Sequence, residues 1–476
     1  MKAGPSAATL PLESAPPARG SRWYLAGICL VASLGGFLFG FDTAVISGTF
    51  EFVEKLFSLS KFQVGWFGSS ALVGCIVGAA LVGMLSDRFG RKPNLLVASV
   101  FLFVSALYST IPPNFDVLTW ARLIGGVGVG MASVLAPMYI SEFAPPKWRG
   151  RLVTLYQLSI VLGILAAYFS NWVLLGFSRA NPEAFGGQGW LHWTLVAEVW
   201  RGMFGAEMIP AAAFFFLLFL VPESPRWLAK AGRDGQAFAV LTRVDGAELA
   251  RRELTEIQQS IRDETGTLAE LFRPGLRMAL VVAVGLSVFG QLTGVNIVVY
   301  YGPTVLQGAG FASASALQWQ VVLGIVNLLF TLVAIWKVDR WGRRPLLVWG
   351  MAVVTLALAA TAWLLFLEAR AGWVVALLCV YMGFVSVSIC GVIWVLSPEI
   401  FPNRVRGRAM SIATFANWTT NMISAFLFPW YVDRFGIHTG FFTFAAICAV
   451  ATVFFWRCVP ETKGKSLEEI ARHWLT

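Results

Sequence analysis

Long apolar runs recur along the whole chain, and each is long enough to cross a lipid bilayer. A helix needs about 20 mostly apolar residues to span the hydrocarbon core. Hydrophobic residues make up 57% of the 476 positions and charged residues only 13%, about half of the roughly 25% charged residues found in soluble domains. The pattern predicts an all-α membrane protein with twelve spans, near 24–48, 64–85, 94–112, 116–141, 151–177, 203–221, 279–306, 318–338, 346–367, 373–397, 409–431 and 438–457.

Basic residues are distributed unevenly between the two sides of this predicted bundle. Most of the 36 lysines and arginines lie in the tails and in the even-numbered connections, such as 88–92 and 337–344. Because basic loops stay on the cytoplasmic side of a membrane, we expect both termini to be cytoplasmic. The net charge of +10 follows from the same bias, so it gives no indication of a nucleic-acid partner.

Three short motifs occur twice, in the same order. The three pairs are DRFGRKP at 87–93 with DRWGRRP at 339–345, EFAPPKWRGR at 142–151 with EIFPNRVRGR at 399–408, and PESPRWL at 222–228 with the weaker copy PETKGKSL at 460–467. The copies follow the second and eighth, the fourth and tenth, and the sixth and twelfth spans. Two parallel six-span halves are a transporter architecture, with the substrate site between the halves.

The repeat divides the chain into five predicted parts. These are a disordered cytoplasmic tail over 1–22, an N-terminal six-helix bundle over 23–222, a cytoplasmic helical linker over 223–278, a C-terminal six-helix bundle over 279–459 and a cytoplasmic tail over 460–476. In the linker, Leu254, Ile257 and Ile261 share one helical face, which predicts a pair of short helices. The linker either only connects the halves or also fastens them together.

The remaining residues give no sign of a cofactor or of catalysis. The six cysteines lie in or at the end of apolar spans, without the spacing of disulfides or zinc sites. The three histidines are scattered, and no catalytic cluster is present. We therefore expect no cofactor, no metal and no enzymatic activity. Without a nucleotide-hydrolysing module, transport is driven by a gradient or runs downhill.

Taken together, the duplicated loop motifs and the stretch QLTGVNIVVYY at 291–301 resemble the sugar porter family of the major facilitator superfamily. The resemblance extends over residues 23–470, and the first span and region 121–157 are most similar to bacterial proton–xylose symporters. It implies the major facilitator fold and transport by alternating access, in which a central site opens to one side of the membrane at a time.

Charged residues of the duplicated loops form a predicted cytoplasmic gate. Glu142 with Arg149, and Glu399 with Arg406, can pair across helix ends, and Glu223 and Glu461 would be further acceptors for Arg91 and Arg343. In the resembled family such pairs hold the two halves together while the site faces outward. Positive-inside topology alone would explain the basic residues but not their acidic partners.

Polar and aromatic residues inside the spans are the candidate sugar ligands. Sugars need amide and hydroxyl partners for their hydroxyl groups and an apolar surface for their C–H face. At positions that match the family's sugar contacts, the resemblance implies a site made of Phe39, Gln157, Gln291, Asn296, Tyr300, Asn327, Trp394, Asn417 and Trp418. Each amide alone could equally be a helix–helix hydrogen bond.

Two departures from the family pattern affect the substrate. Gly290 stands where the family usually has a first glutamine before Gln291, which removes one sugar contact and leaves space for a bulkier ligand, a different epimer or water. Gly391-Val392 stands where the tenth span usually has Gly-Pro, so we expect a milder helix break there. Gly290 and Gly294 flank Gln291, and Gly302-Pro303 ends that region, so we expect a broken seventh span. Such a break would let Gln291 and Asn296 converge, although side chains five apart diverge on a regular helix.

Asp42 lies inside the first apolar run, where an ionised group costs at least about 2.5 kcal/mol. It could bind substrate, form a structural ion pair with Arg122, or carry a proton. Arg122 is the basic residue deep inside a span, and both residues match the proton-coupling pair of the resembled symporters. A conformational change that moves Arg122 on or off Asp42 would change the affinity of the carboxylate for a proton.

These observations predict a proton-coupled symporter of a monosaccharide or related polyol in the inner membrane, functional as a monomer. The alternatives are a facilitative sugar uniporter, against which the Asp42–Arg122 pair argues, and a non-transporting sugar sensor, which usually needs a longer signalling tail. Neither the sugar nor the coupling ion, proton or sodium, is identified by the sequence.

Overall fold

The computed structural model describes residues 20–145, 149–262, 268–273, 276–368 and 370–463, except the side chains of Arg149, Arg262, Leu268, Asp339, Asn403 and Arg404. The predicted terminal tails therefore lie largely outside the described residues. Within those ranges the regular structure is entirely helical. The N-terminal half contains the helices Arg22–Val45, Phe50–Phe57, Lys61–Phe89, Arg91–Thr110, Phe115–Phe143, Arg149–Ala180, Val199–Gly205 and Met208–Leu218.

The C-terminal half repeats this order. Its helices are Leu276–Leu292, Val295–Gly308, Ser313–Trp341, Arg343–Phe366, Ala371–Val385, Gly391–Glu399, Asn403–Phe435 and Ile437–Cys458. Shorter helical turns over 184–197 cover one end of the N-terminal half, and a π-helical turn, Ser386–Cys390, joins the two segments of the tenth span.

Eleven helices of the described chain are long and apolar enough to cross a membrane, where the sequence predicts twelve spans. The predicted span at 409–431 lies within the 33-residue helix Asn403–Phe435. Its length suffices for a span, but Asn417, Thr419, Thr420 and Asn421 lower its mean hydropathy. Two of these polar residues bond to the seventh span, so they are covered by protein rather than lipid. The chain is a multi-pass helical membrane protein.

The linker contains three helices, Pro225–Lys230, Asp234–Asp245 and Ala247–Arg262. The last two are the predicted pair of short helices within the linker, and Leu254, Ile257 and Ile261 are half-buried, as their common face predicts. Arg226 of the first helix donates to Ser260 of the third. The three helices therefore pack as one unit beside the loops of the duplicated motifs.

Two glycines set the tight turns of the duplicated DRxGR motifs. Gly90 and Gly342 have φ of +100° and +88°, a backbone region that side chains with a Cβ rarely adopt. A Cβ at either position would also collide with a carboxylate, that of Glu223 or that of Glu461. The end of the bundle that carries these turns is called the basic end below; the end at 49–60 and 308–313 is called the distal end.

The seventh span is broken at Gly294, one of the positions at which the sequence predicts a break, whereas Gly290 and Gly302-Pro303 lie within helices. One helix ends at Leu292 and the next begins at Val295, with Gly294 between them at φ +82°. The tenth span remains helical through its π-turn up to Glu399, which confirms the milder break expected without the Gly-Pro pair. Both irregular segments lie beside the candidate sugar ligands.

Candidate functional site

The fold brings Asp42 of the first span against Arg122 of the fourth. Arg122 Nη1 donates to Asp42 Oδ1 at 2.6 Å and Nη2 donates to the Asp42 carbonyl at 3.0 Å. The two side chains are 0% and 2% exposed, and the guanidinium also lies 5.4 Å from the ring centre of Phe204. Charge compensation explains how an ionised carboxylate is tolerated at this depth.

A second carboxylate, Glu207, lies beside this pair and was not singled out from the sequence. It is fully buried and interacts with both Asp42 and Arg122. Both of its carboxyl oxygens, together with Asp42 Oδ2 and Arg122 Nε, have no hydrogen-bond partner among the described residues. The sequence did contain a signal for Glu207, because it is an acid within the predicted sixth span. The same kind of signal, an acid within an apolar run, identified Asp42.

Two acids beside one guanidinium leave the cluster one positive charge short. Neighbouring carboxyls cannot both ionise cheaply in a dry site, and they hydrogen-bond to each other only when one holds a proton. The cluster formed by Asp42, Glu207 and Arg122 can therefore hold a proton without any further group.

Three amides of the predicted sugar site form one chain of hydrogen bonds. Asn296 Nδ2 donates to Gln291 Oε1 at 2.5 Å, and Gln291 Nε2 donates to Asn417 Oδ1 at 2.8 Å. The break at Gly294 makes the first contact possible, as expected. The bonds also orient each amide, and Gln291 and Asn296 remain partly exposed.

Aromatic residues of both halves meet near this amide chain. The rings of Phe39 in the first span and Trp418 in the eleventh lie 5.4 Å apart. Asn421, one turn after Trp418, donates to the Tyr300 hydroxyl at 3.0 Å. The predicted residues Phe39, Trp418 and Tyr300 therefore lie at the interface between the halves or on the helices that form it.

The remaining predicted ligands differ in their surroundings. Asn327 is buried and accepts hydrogen bonds from Ser386 and Thr331, which makes it a helix–helix contact in this conformation. Gln157 is half-buried and its amide has no hydrogen bond to the described part of the chain. Trp394 is exposed. No hydrogen bond or ring contact between described residues joins Gln157 or Trp394 to the amide chain.

Two isoleucines of the tenth span border the space expected at Gly290. A Cβ placed there would lie 3.3 Å from Ile389 Cγ1 and 3.5 Å from Ile393 Cδ1. The side chains of the tenth span thus close over the glycine, and Gly290 is buried. An apolar contact therefore borders the position of the missing amide in this conformation, and the extra space for a bulkier ligand, a different epimer or water stays a prediction.

The gate arginines pair differently from the prediction. Arg91 binds Glu142 through Nε and Nη2, the latter at 3.0 Å, and Arg343 Nη2 binds Glu399 at 3.0 Å. Glu399 also accepts from Thr462. Arg406, the predicted partner of Glu399, donates to the Phe401 carbonyl and interacts with Glu399 through charge alone, without a hydrogen bond. The Arg149 side chain lies outside the described residues, so its predicted pairing with Glu142 is untested.

Glu223 and Glu461 accept hydrogen bonds from backbone amides, not from the guanidinium groups that the sequence suggested. Glu223 binds the amides of Arg91 and Lys92, and Glu461 binds those of Arg343 and Arg344, both at 3.1 Å. Each carboxylate thus caps a helix that begins after the glycine turn. Burial raises the pKa of Glu223, although these amide hydrogen bonds partly offset the effect.

The two ends of the bundle differ in how the halves meet. At the basic end, the ion pairs of Arg91 and Arg343 each join two residues of one half. At the distal end, rings of opposite halves are in contact: Phe50 stacks on Tyr301 at 4.5 Å, and Phe62 lies 6.0 Å from Trp430. The conformation is therefore closed at the distal end.

Comparison with known proteins places this arrangement in a family. Residues 28–474 match the family described as "Sugar (and other) transporter". The chain belongs to the sugar transporter family. It is a transporter and not an enzyme, as the absence of a catalytic cluster predicted.

Among curated relatives, this transporter is 39% identical over 452 residues to the arabinose-proton symporter of Bacillus subtilis (strain 168), with 94% of each chain covered. It is 38% identical to the D-xylose-proton symporter of Escherichia coli (strain K12), over 95% of this chain and 96% of the relative. The major myo-inositol transporter IolT of B. subtilis is 35% identical, covering 94% and 93%.

Solved structures give the same result. The partially occluded inward open conformation of the xylose transporter XylE from E. coli has a TM-score of 0.82 at 35% identity, covering 93% of this chain and all of that one. The proton:xylose symporter XylE bound to 6-bromo-6-deoxy-D-glucose has a TM-score of 0.78 at 36% identity, covering 95% and 99%. These matches confirm the predicted family and the major facilitator fold.

Proposed function

We propose that this transporter couples the uptake of a monosaccharide or related polyol to the entry of protons. The observation that carries the proposal is the buried cluster of Asp42, Glu207 and Arg122, in which one guanidinium faces two carboxyls. A static structural pair needs one acid. The second acid, with both oxygens unpartnered, provides a place for a proton inside the membrane.

Coupling follows from the electrostatics of this cluster. A nearby guanidinium favours the ionised carboxylate, whereas burial away from it favours the protonated acid. Rocking of the halves that shifts Arg122 relative to the two acids therefore changes proton affinity between the two open states. Several relatives are named as proton symporters of arabinose or xylose, which supports the proposal that this chain couples sugar uptake to protons.

The sugar site is proposed around the amide chain of Gln291, Asn296 and Asn417. Amides that already bond to one another are pre-oriented, and each retains capacity to donate or accept. Phe39 and Trp418 supply flat apolar surfaces, and Gln157 and Trp394 complete the site from the fifth and tenth spans. Ile389 and Ile393 contact Gly290 and make this side of the proposed site more apolar. We therefore infer a substrate with fewer polar groups on the side that faces Gly290.

The orientation is proposed from the basic loops. With Arg91 and Arg343 at the cytoplasmic face, both termini are cytoplasmic, and the membrane is the inner membrane of a bacterial cell. The closed distal end then faces outward, and the site opens toward the cytoplasm. Because one chain supplies both halves of the site, we propose that it acts as a monomer.

Uptake into proteoliposomes tests this function. Labelled arabinose, xylose, glucose and myo-inositol would each be offered with an inward proton gradient, with an inward sodium gradient, and with neither. Accumulation above the outside concentration with the proton gradient alone is the expected result for at least one substrate. Equilibration without accumulation under all three conditions would show that the protein is a uniporter. Accumulation driven by the sodium gradient would show that sodium, and not the proton, is the coupling ion.

A further inference from the structure

Glu51 joins the two halves at the distal end. It lies on the helix Phe50–Phe57, just after the first span, and its Oε2 accepts from two residues of the other half. Ser313 Oγ donates at 2.6 Å and Gln307 Nε2 at 3.1 Å. Its Oε1 binds Lys55 of its own helix at 2.8 Å. Among the described residues, this carboxylate forms a polar bridge between the loops that must separate if the distal end is to open.

The space around the bridge is too small for a sugar. In the cavity lined by Ser47, Glu51, Gln307 and Ser313, the centre of a water molecule can occupy a volume of about 10 Å³. This is enough for about one water. Phe50 stacks on Tyr301 beside it. The bridge therefore lies where the path from the distal side is blocked.

We propose that Glu51, Gln307 and Ser313 form a distal clamp that holds the transporter closed at this end. Hydrogen bonds to a charged acceptor are about twice as strong as neutral ones, and two of them span the halves. The Glu51 side chain is 31% exposed, so water replaces the donors when the clamp opens and no charge is left buried. Such a bridge stabilises one state and still breaks within a transport cycle.

The charge of Glu51 persists over the physiological pH range. Burial opposes its ionisation, but the hydrogen bonds from Lys55, Ser313 and Gln307 and the charge of Lys55 outweigh that effect and lower the pKa of the carboxyl below its usual value of 4.5. Lys55 is the charged group that bonds to it; the donors from the other half are neutral. The contribution of the clamp is thus complete above about pH 4.5 and is lost only as the pH falls through the lowered pKa.

The clamp is tested by a distance across the distal end. Cysteines introduced at the exposed positions Leu56 and Ala312 would carry spin labels, whereas the native cysteines of the described chain are buried or partly buried. We expect Glu51→Gln to raise the ratio of long to short distances about fivefold or more, from the loss of charge-assisted bonds. The fold-change between Glu51→Gln and the wild type should be the same at pH 8 and at pH 5, because Glu51 stays charged over this range.

Glu54→Gln is the matched control. It removes a carboxylate on the same helix, one that pairs with Lys61 at 2.6 Å within the N-terminal half, so its distance ratio should stay at the wild-type value. Ser313→Ala should raise the ratio in the wild-type background and have little further effect in Glu51→Gln. An unchanged ratio in Glu51→Gln, or an equal rise in Glu54→Gln, overturns the proposal.

The inference rests on the proposed rocking of the two halves but not on the substrate or the coupling ion. The distances are measured on the full-length transporter without sugar and without a proton gradient. Failure of proton-driven uptake would leave the distance ratios unaffected, and failure of the clamp would leave the uptake assays unaffected.

Discussion

Burial of ionisable groups in a membrane protein requires that their charges be matched or removed. Arg122 matches Asp42 through two hydrogen bonds, but Glu207 remains in the same cluster with both oxygens unpartnered. The excess of acids over cations at this site distinguishes it from the gate, where Arg91 and Lys230 together balance the two acids Glu142 and Asp87. At the scale of single residues, we infer that the proton of the proposed symport is held by this cluster.

Asp42→Asn separates the possible roles of this residue. Asparagine keeps the shape of the protonated acid but cannot release a proton, so sugar binding and sugar–sugar exchange should persist while accumulation and sugar-driven alkalinisation of the medium disappear. All three would be measured on one preparation in proteoliposomes. Asp116→Asn, an exposed acid at the start of the fourth span, should behave as wild type.

A structural ion pair gives a different pattern for Asp42→Asn. Arg122 would lose its acceptor, and folding yield, binding and exchange would fall together. A direct sugar contact would show mainly as weaker binding. Accumulation that persists at wild-type level would remove Asp42 from the coupling mechanism.

Gln291 is the central member of the amide chain, and its truncation tests the sugar site. Gln291→Ala removes both hydrogen bonds and leaves Asn296 and Asn417 without their partner, so sugar affinity should fall by about 1–3 kcal/mol. Titration calorimetry on purified protein measures the change. Gln259→Ala, at an exposed glutamine of the linker, is the control, and unchanged affinity in Gln291→Ala would place the site elsewhere.

At the scale of elements, glycine turns and capping carboxylates repeat in the two halves. Gly90 with Glu223, and Gly342 with Glu461, each start a span by placing a carboxylate on the free backbone amides of the first helical turn. A long polar loop could also connect the two spans, but it would fix the angle between them less precisely. The capped turn holds the preceding and following spans at a defined angle and positions Arg91 and Arg343 for their acids.

Glu461→Ala should therefore lower the stability of the C-terminal half. Loss of the acceptor for the Arg343 and Arg344 amides is expected to cost about 1 kcal/mol, as for other helix caps. The melting temperature of the purified transporter would report the loss. Glu248→Ala removes a glutamate from an exposed pair with Arg252 in the linker and should have almost no effect; equal melting temperatures for both variants would contradict the capping role.

At the scale of the whole molecule, the structure represents one of the two states of the proposed rocking cycle. The distal end is closed by aromatic contacts and by Glu51, whereas the gate pairs of the basic end lie within the separate halves. Arg406 is incompletely satisfied here, with one bond to the Phe401 carbonyl and a buried Nε without a partner in the described residues. Glu399 acts on it only through charge, and we infer that Arg406 forms a direct hydrogen bond to an acid when the basic end closes.

Arg406→Gln should then destabilise the opposite state. The ratio of long to short distances between labels at Leu56 and Ala312 should fall about tenfold, from the loss of one charged hydrogen-bonded contact, opposite in sign to the change expected for Glu51→Gln. Equilibrium sugar binding should persist. Arg408→Gln, an exposed neighbour, is the control; a ratio that does not fall in Arg406→Gln would assign this arginine to topology alone.

Properties that depend on neighbouring residues along the chain could be predicted from the sequence. Hydropathy located the spans, because a span must satisfy its own backbone and face lipid. Gly294 predicted the break in the seventh span, and the duplicated motifs predicted the two halves. The pairing of Asp42 with Arg122 was also predictable, because few ionisable residues lie within apolar runs and a buried charge needs a partner.

Choices among several similar partners were decided only by the tertiary structure. Arg91 could reach more than one acid, and helix packing gives it Glu142 while Glu223 turns to the backbone amides. The isoleucines that contact Gly290 come from a span about one hundred residues away in the sequence. Close packing between such distant residues leaves no pattern in the sequence around the glycine. Which end is closed also depends on contacts between halves, because one sequence must encode both states at nearly equal free energy.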